Sequence, residues 1–136
     1  MKTLCLDIGN TSIKKTISLN NKIGKIKHLN YSKNYPDKVY NFLEKDIIAL
    51  DLICICSVVP EINKFITKRF NKYANKIFFI QKSKLKKFIE SSVNINQLGT
   101  DRLINVLAVS KFYLKNKNFI IVDLGTATTL DIVRNN

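Results

Sequence analysis

The stretch Leu4-Cys5-Leu6-Asp7-Ile8-Gly9-Asn10-Thr11-Ser12-Ile13 decides the reading of this chain, and it has a near-copy at Ile120-Ile121-Val122-Asp123-Leu124-Gly125-Thr126-Ala127-Thr128-Thr129. Each segment runs from an apolar strand into an aspartate, an apolar residue, a glycine and then hydroxyl or amide residues. The chain holds only four glycines, and two of them fall at the same place after these aspartates. Such a strand-turn-strand puts the carboxylates of Asp7 and Asp123 at strand ends. Gly9 and Gly125 are expected to let the backbone turn tightly, so that the following N–H groups face a phosphate. Asn10, Thr11 and Ser12 in one copy, and Thr126, Thr128 and Thr129 in the other, add side-chain donors. A carboxylate beside the turn can hold a cation between itself and phosphate oxygens. Taken singly, each segment is also an ordinary hairpin turn; the repetition points to a nucleotide clamp. Neither GxxxxGK[ST] nor GxGxxG occurs, so phosphate binding would fall to these hairpins.

Outward from the first copy, TLCLDI, SIKKTISL and KIKHLNY are short apolar runs separated by GNT and NNKIG, the pattern of three antiparallel strands. YPDKVYNFLEKDIIAL predicts a crossover helix opened by Pro36, with Val39, Phe42, Leu43, Ile47 and Leu50 on one stripe. DLICICSVV is nearly continuous apolar sequence, as in a strand buried on both faces of a parallel sheet. PEINKFITKRFNKYA repeats the proline-then-acid helix opening, with Ile62, Phe65, Ile66, Phe70 and Tyr73 on its apolar side. KIFFI predicts a short strand, KSKLKKFIE a short helix, VNINQLG a loop or weak strand, TDRLINVLAVSKFYLK a helix, and NFIIVDLGTATTLDIV a new hairpin. This order gives an α/β fold of the ribonuclease-H-like, actin-like ATPase type: a mixed sheet with three antiparallel N-terminal strands, then parallel strands with crossover helices. Residues 1–117 are expected to form a first domain and 118–136 the first hairpin of a truncated second one.

Composition narrows the function. The 136 residues are 46% hydrophobic, which excludes a disordered chain. No apolar stretch reaches the roughly 18 to 20 residues of a membrane span, and the N-terminus lacks a leader pattern, so a cytoplasmic, membrane-free protein is expected. Three cysteines, with Cys54 and Cys56 inside LICIC, read as strand thiols and not as a disulfide framework or metal site. The formal net charge of +13 is spread through every segment beside Asn and Ile, so nucleic acid is not the expected partner, whereas ATP would gain from a positive field.

The segments DIGNTSIK, CSVVP, LGTDRLIN and VDLGTATTLD, in that order and approximate spacing, resemble type III pantothenate kinases along the whole chain. The resemblance implies ATP-dependent phosphorylation of pantothenate, the first step of coenzyme A synthesis, with Mg2+ or another divalent cation together with K+ or NH4+. It places Asp7, Ile8, Gly9, Asn10, Thr11, Ser12, Ile13 and Lys14 at the ATP phosphates, with Asp7 as a divalent-cation ligand. Thr126 would be a second ATP contact and Asp123 the monovalent-cation residue. Gly99, Thr100, Asp101 and Arg102 would line the pantothenate pocket, with Asp101 as proton acceptor.

Residue chemistry alone leaves two readings of that last segment open. A carboxylate can take the proton of an attacking alcohol, and an arginine fork suits a carboxylate or phosphate; equally, Thr100 and Asp101 suit the cap and first turn of the helix that follows. Ser57 in CSVVP is explained as well by a strand ending before a helix-starting proline. The family usually carries a Tyr and a Pro upstream, where this chain has Ser92 and Ile95. It also continues through a glycine-rich segment and a second lobe, so Ile120, Ile121 and Val122 are expected to need cover, from a complementing C-terminal half or a homodimer. The competing readings are another small-molecule kinase of the same superfamily and a non-catalytic or regulatory remnant.

Overall fold

A computed structural model describes residues 1–31, 35–47, 49–115 and 117–134, and the chain divides into two compact units, Met1–Ile80 and Gln81–Asn136. In the first unit, β1 (Lys2–Ile8) and β2 (Ser12–Leu19) pair antiparallel, with Asp7 opposite Lys14 and Ile8 opposite Ile13. The chain then reverses at Asn20 and Asn21, whose φ angles of 48° and 67° are the left-handed pair that a two-residue hairpin needs and that asparagine tolerates.

The expected third strand, KIKHLNY, is β4 (Lys27–Asn30), and a further two-residue strand, β3 (Lys22–Ile23), falls within NNKIG, where only a turn was expected; both pair with β2. The break between them falls at Gly24, whose N–H donates to the Ile17 carbonyl at 2.9 Å; a Cβ on Gly24 would lie 2.9 Å from that same oxygen, so the strand approaches β2 there at a distance only glycine permits.

α1 (Pro36–Ile47) leads to β5 (Leu52–Ser57), which lies parallel to β1, and α2 (Pro60–Arg69) leads to β6 (Ile77–Phe79), parallel to β5. The strand order β3-β2-β1-β5-β6, with β4 also on β2, is the mixed ribonuclease-H-like sheet expected from the sequence. Alternation along β1 buries Leu4, Leu6 and Ile8, and β5 adds Ile53 and Ile55; Val39, Leu43 and Ile47 of α1 and Ile62 and Ile66 of α2 complete the core with Leu50 and Phe70. Phe42, Phe65 and Tyr73, expected on the same stripes, are only partly buried against this cluster. Each fully buried aliphatic side chain contributes about 1.5–3 kcal/mol, so this layer dominates the unit's stability.

A charged pair is set into that layer. Lys15 on β2 reaches Asp46 on α1 at 2.6 Å, donates to the Phe42 carbonyl and lies 4.0 Å above the Phe42 ring.

The second unit comprises α3 (Lys82–Leu85), single 3-10 turns at Lys86–Phe88 and Ile95–Gln97, α4 (Thr100–Phe112), and a hairpin of β7 (Phe119–Leu124) and β8 (Thr128–Val133) that is a sheet of its own. The predicted loop at VNINQLG thus holds a 3-10 turn capped by Asn94, whose side chain accepts from the Asn96 N–H at 3.0 Å. Among the described residues, no helix is long and apolar enough to cross a membrane.

Candidate functional site

The site residues fall into three local structures. In the first unit, Asp7 and Ile8 end β1 beside Cys56 and Ser57 at the carboxyl end of the parallel strand β5, the edge at which α/β sheets bind ligands. The turn is closed by the Gly9 N–H donating to the Ser12 carbonyl at 3.0 Å. Tyr31 fastens it from the side, its N–H donating to the Thr11 carbonyl at 3.0 Å and its hydroxyl donating to the Gly9 carbonyl. The side chains of Ile8 and Ile13 lie in the core, so they anchor the turn and only their backbone could meet a ligand. Asp7 and Lys14, facing each other across the ladder at 3.8 Å, are half exposed, and Asn10 and Thr11 are exposed.

Gly9 and Gly125 make their turns without left-handed backbone, since neither has a positive φ. A Cβ on Gly9 would meet the Ser12 carbonyl at an ordinary 3.7 Å, and one on Gly125 the Ala127 carbonyl at 3.6 Å. What these glycines provide is the absence of a side chain, which leaves the backbone open to approach.

The second structure is the start of α4. Gly99 is the N-cap residue, so Thr100 does not cap the helix with its side chain; it is buried beside Leu103. Asp101 sits in the first turn, where its Oδ1 accepts from the Arg102 N–H at 2.9 Å, a favourable place for a negative charge. That oxygen occupies the space above Gly99: a Cβ there would lie 2.1 Å from it.

The Arg102 guanidinium is held by Asp131 of β8. Its Nε lies 3.0 and 3.2 Å from the two carboxylate oxygens and its Nη2 2.5 Å from Oδ1, while Nη2 also approaches the Leu130 carbonyl at 3.4 Å. The hydrogen bonds to Asp131 push the guanidinium pKa up against the opposing effect of burial, with the nearby charges of Asp131 and Asp101 adding to the rise.

The third structure is the β7–β8 turn, where Asp123 pairs with Thr129 and the Gly125 N–H donates to the Ala127 carbonyl at 3.3 Å. Asp123, Gly125 and Thr126 are exposed. Ile120, Val122, Leu124, Leu130 and Ile132 form an exposed apolar face of this hairpin, whereas Ile121, expected among the exposed strand residues, is half-buried. A cavity of about 660 Å³ in this unit, walled by Phe88, Leu107, Leu114, Phe119 and Val133, includes none of the expected site residues.

Sequence reading missed Asp131 and Tyr31. Asp131 had a signal, since Thr129, Asp131 and Val133 alternate along one face of a strand inside the quoted VDLGTATTLD; Tyr31 had none. Ser57, left undecided, caps its own turn by accepting from the Val59 N–H at 3.1 Å. Among the described residues no group of three or more His, Cys, Asp or Glu could hold a metal ion. A cation at Asp7 or Asp123 would therefore complete its shell with backbone, hydroxyl, water or phosphate oxygens, as hard cations accept.

The sheet order and crossover helices define the first unit as a domain of the ribonuclease-H-like, actin-like fold. Two solved structures share it at the level of fold: one described as a Baf family transcriptional activator from Campylobacter jejuni (TM-score 0.51, 23% identity, 97% of this chain and 49% of that one), and one described as an N-acetylmannosamine kinase from Listeria monocytogenes (TM-score 0.51, 16% identity, 99% and 48%). The family model for type III pantothenate kinase matches residues 3–136, and the chain belongs to that family. Type III pantothenate kinases of Thermosipho melanesiensis and Pelagibacter ubique are 35% and 36% identical over 137 and 154 residues, which are 98% and 96% of this chain but 54% and 53% of those proteins. The chain thus spans about half the length of the curated relatives it matches.

Proposed function

We propose that this chain supplies the N-terminal half of an ATP-dependent pantothenate kinase that works in the cytoplasm, at the first step of coenzyme A synthesis. The observation that carries the reading is the geometry at the start of α4 in a chain matched by the family from residue 3 onward: a carboxylate at Asp101 and a guanidinium at Arg102, each fixed by hydrogen bonds. Residues 1–117 act as the first domain and 118–136 open the second, whose remainder covers the apolar hairpin face as a complementing half; the assembled kinase is a homodimer.

Asp7 through Lys14 and Thr126 contact ATP. The open backbone at Gly9 and the half-exposed Lys14 suit phosphate oxygens. The oxygen donors at Asp7 and Asp123 fit a divalent cation such as Mg2+ and a monovalent K+ or NH4+ respectively. The bound cations neutralise charge on the phosphates. Pantothenate lies against Gly99, Thr100, Asp101 and Arg102, its carboxylate on the arginine. As its hydroxyl oxygen bonds to the γ-phosphorus, Asp101 takes the hydroxyl proton and ADP leaves with the bridging oxygen.

The test is ATP-dependent phosphorylation by the chain combined with a polypeptide carrying the rest of the family's length. Turnover that Asp101→Ala lowers by about 10²–10⁴-fold is expected. No turnover from a folded, associated mixture defeats the reading.

A further inference from the structure

Arginine offers two edges to carboxylates: the side edge formed by Nε and one Nη2 proton, and the end edge formed by Nη1 and the other Nη2 proton. Asp131 takes the side edge of Arg102, through Nε at 3.0 and 3.2 Å and Nη2 at 2.5 Å. The end edge is therefore turned away from Asp131. We propose that Asp131 is a positioning residue that clamps Arg102 side-on so that Nη1 on its end edge takes the substrate carboxylate, making Asp131 the residue that sets the preference for an acid over a neutral acceptor. The inference rests on the reading of Arg102 as the pantothenate carboxylate partner.

Two observations favour a positioning role over a surface ion pair. The side chains of Arg102 and Asp131 are 29% and 14% exposed, so the pair is largely withdrawn from water. Arg102 Nη2 also donates to the Leu130 carbonyl at 3.4 Å, so both hydrogen bonds of Nη2 go to β8 and Nη1 is the part of the end edge turned to a ligand. A long side chain held in this way loses its rotamer freedom before the substrate arrives, and that ordering need not be repeated on binding. Asp131 itself touches no substrate atom in this scheme.

The test compares pantothenate with pantothenyl alcohol, in which a hydroxymethyl group replaces the carboxylate, using the assembled kinase. Asp131→Asn keeps the shape but loses the charge and half the acceptors. The kcat/KM preference for the acid should fall about ten-fold or more, mainly through the KM for pantothenate, with the alcohol's kcat/KM and the KM for ATP little changed. Asp131→Glu should restore part of the preference. Equal losses on both acceptors would show a merely structural residue and overturn the proposal, as would an unchanged preference. Wild-type turnover of other alcohols but not of pantothenate would instead defeat the pantothenate reading itself. Should Asp131→Asn fail to fold, Arg102→Lys, which keeps the charge and removes the fork, must lose the same preference; retention of it would overturn the proposal.

Discussion

Replacing Gly99 by alanine tests whether the position of Asp101 is a catalytic geometry. The backbone of Gly99, with φ −63° and ψ 147°, is open to any residue, so the substitution carries no torsional strain. Its cost is steric and local. The new Cβ would stand 2.1 Å from Oδ1 and 3.2 Å from Cγ of Asp101, and restoring ordinary contact means moving that oxygen by more than about 1 Å. The carboxylate must then swing off the Arg102 N–H that it now accepts at 2.9 Å. Loss of a good N-cap residue should lower stability by about 1 kcal/mol, because alanine is a poorer cap than glycine. A 1 Å misplacement of a catalytic group costs about 10²-fold, so turnover of the assembled kinase should fall far more than the 1 kcal/mol loss of folding stability would suggest. Gly9→Ala serves as the stability control: its nearest neighbour would be the Ser12 carbonyl at 3.7 Å, and the melting temperature of the chain should barely move. Melting curves and ADP release measured side by side decide the matter. A Gly99→Ala enzyme within about three-fold of wild-type turnover, where Asp101→Ala is inactive, would refute the reasoning.

Two further outcomes concern the first unit and can be read on the chain itself. Asp46→Ala strands the ammonium of Lys15, whose side chain is 7% exposed, and should cost about 3–5 kcal/mol in urea unfolding, while Lys15→Met, which removes the charge instead, should cost much less; equal losses would show that the pair's charge is not what matters. Cys5 and Cys54 face each other in the β1–β5 register, and burial pushes both thiols above their ordinary 9.0, Cys54 further through its neighbour Cys5. Their folded values are raised, so between 9.0 and those values the unfolded chain sheds protons that the native chain keeps. Stability is therefore intact below about pH 9 and declines above it. Melting temperatures from pH 8 to 10 should fall less steeply in a Cys5→Ala, Cys54→Ala variant; an unchanged slope would reject the assignment.

What was legible in the sequence is what short-range periodicity encodes. Alternation in TLCLDI placed Leu4, Leu6 and Ile8 on the buried face, and helical spacing picked out Val39, Leu43 and Ile47 and then Ile62 and Ile66. The interruption between β3 and β4 was not legible, because it depends on the carbonyl of Ile17 meeting Gly24 across the hairpin, and a glycine in a strand pattern does not say which neighbour approaches it. How Gly9 and Gly125 serve their turns was not legible for a related reason: glycine signals either unusual dihedrals or lack of a side chain, and only the backbone angles separate the two. Strand alternation could set Asp131 on a face of β8, but the Arg102–Asp131 pair spans 29 residues, and nothing local in LGTDR or TTLD says which side chain that carboxylate meets.

The arrangement around α4 explains how one helical turn can carry both a base and an anion receptor. Consecutive residues on a helix point about 100° apart, so Asp101 and Arg102 cannot face a substrate in the same way, and each must be aimed separately. Asp101 is aimed by what is missing at Gly99 and by the Arg102 N–H. Arg102, the longer side chain, is aimed by what is present at Asp131. A proton acceptor needs its free oxygen undisturbed, which an empty space provides without competing for its lone pairs. A receptor for a carboxylate needs a fixed fork, which an acceptor on the side edge can hold while N–H groups of the end edge remain to donate. The two devices are therefore not interchangeable: an alanine at 99 should act on turnover, and an asparagine at 131 on the choice of acceptor.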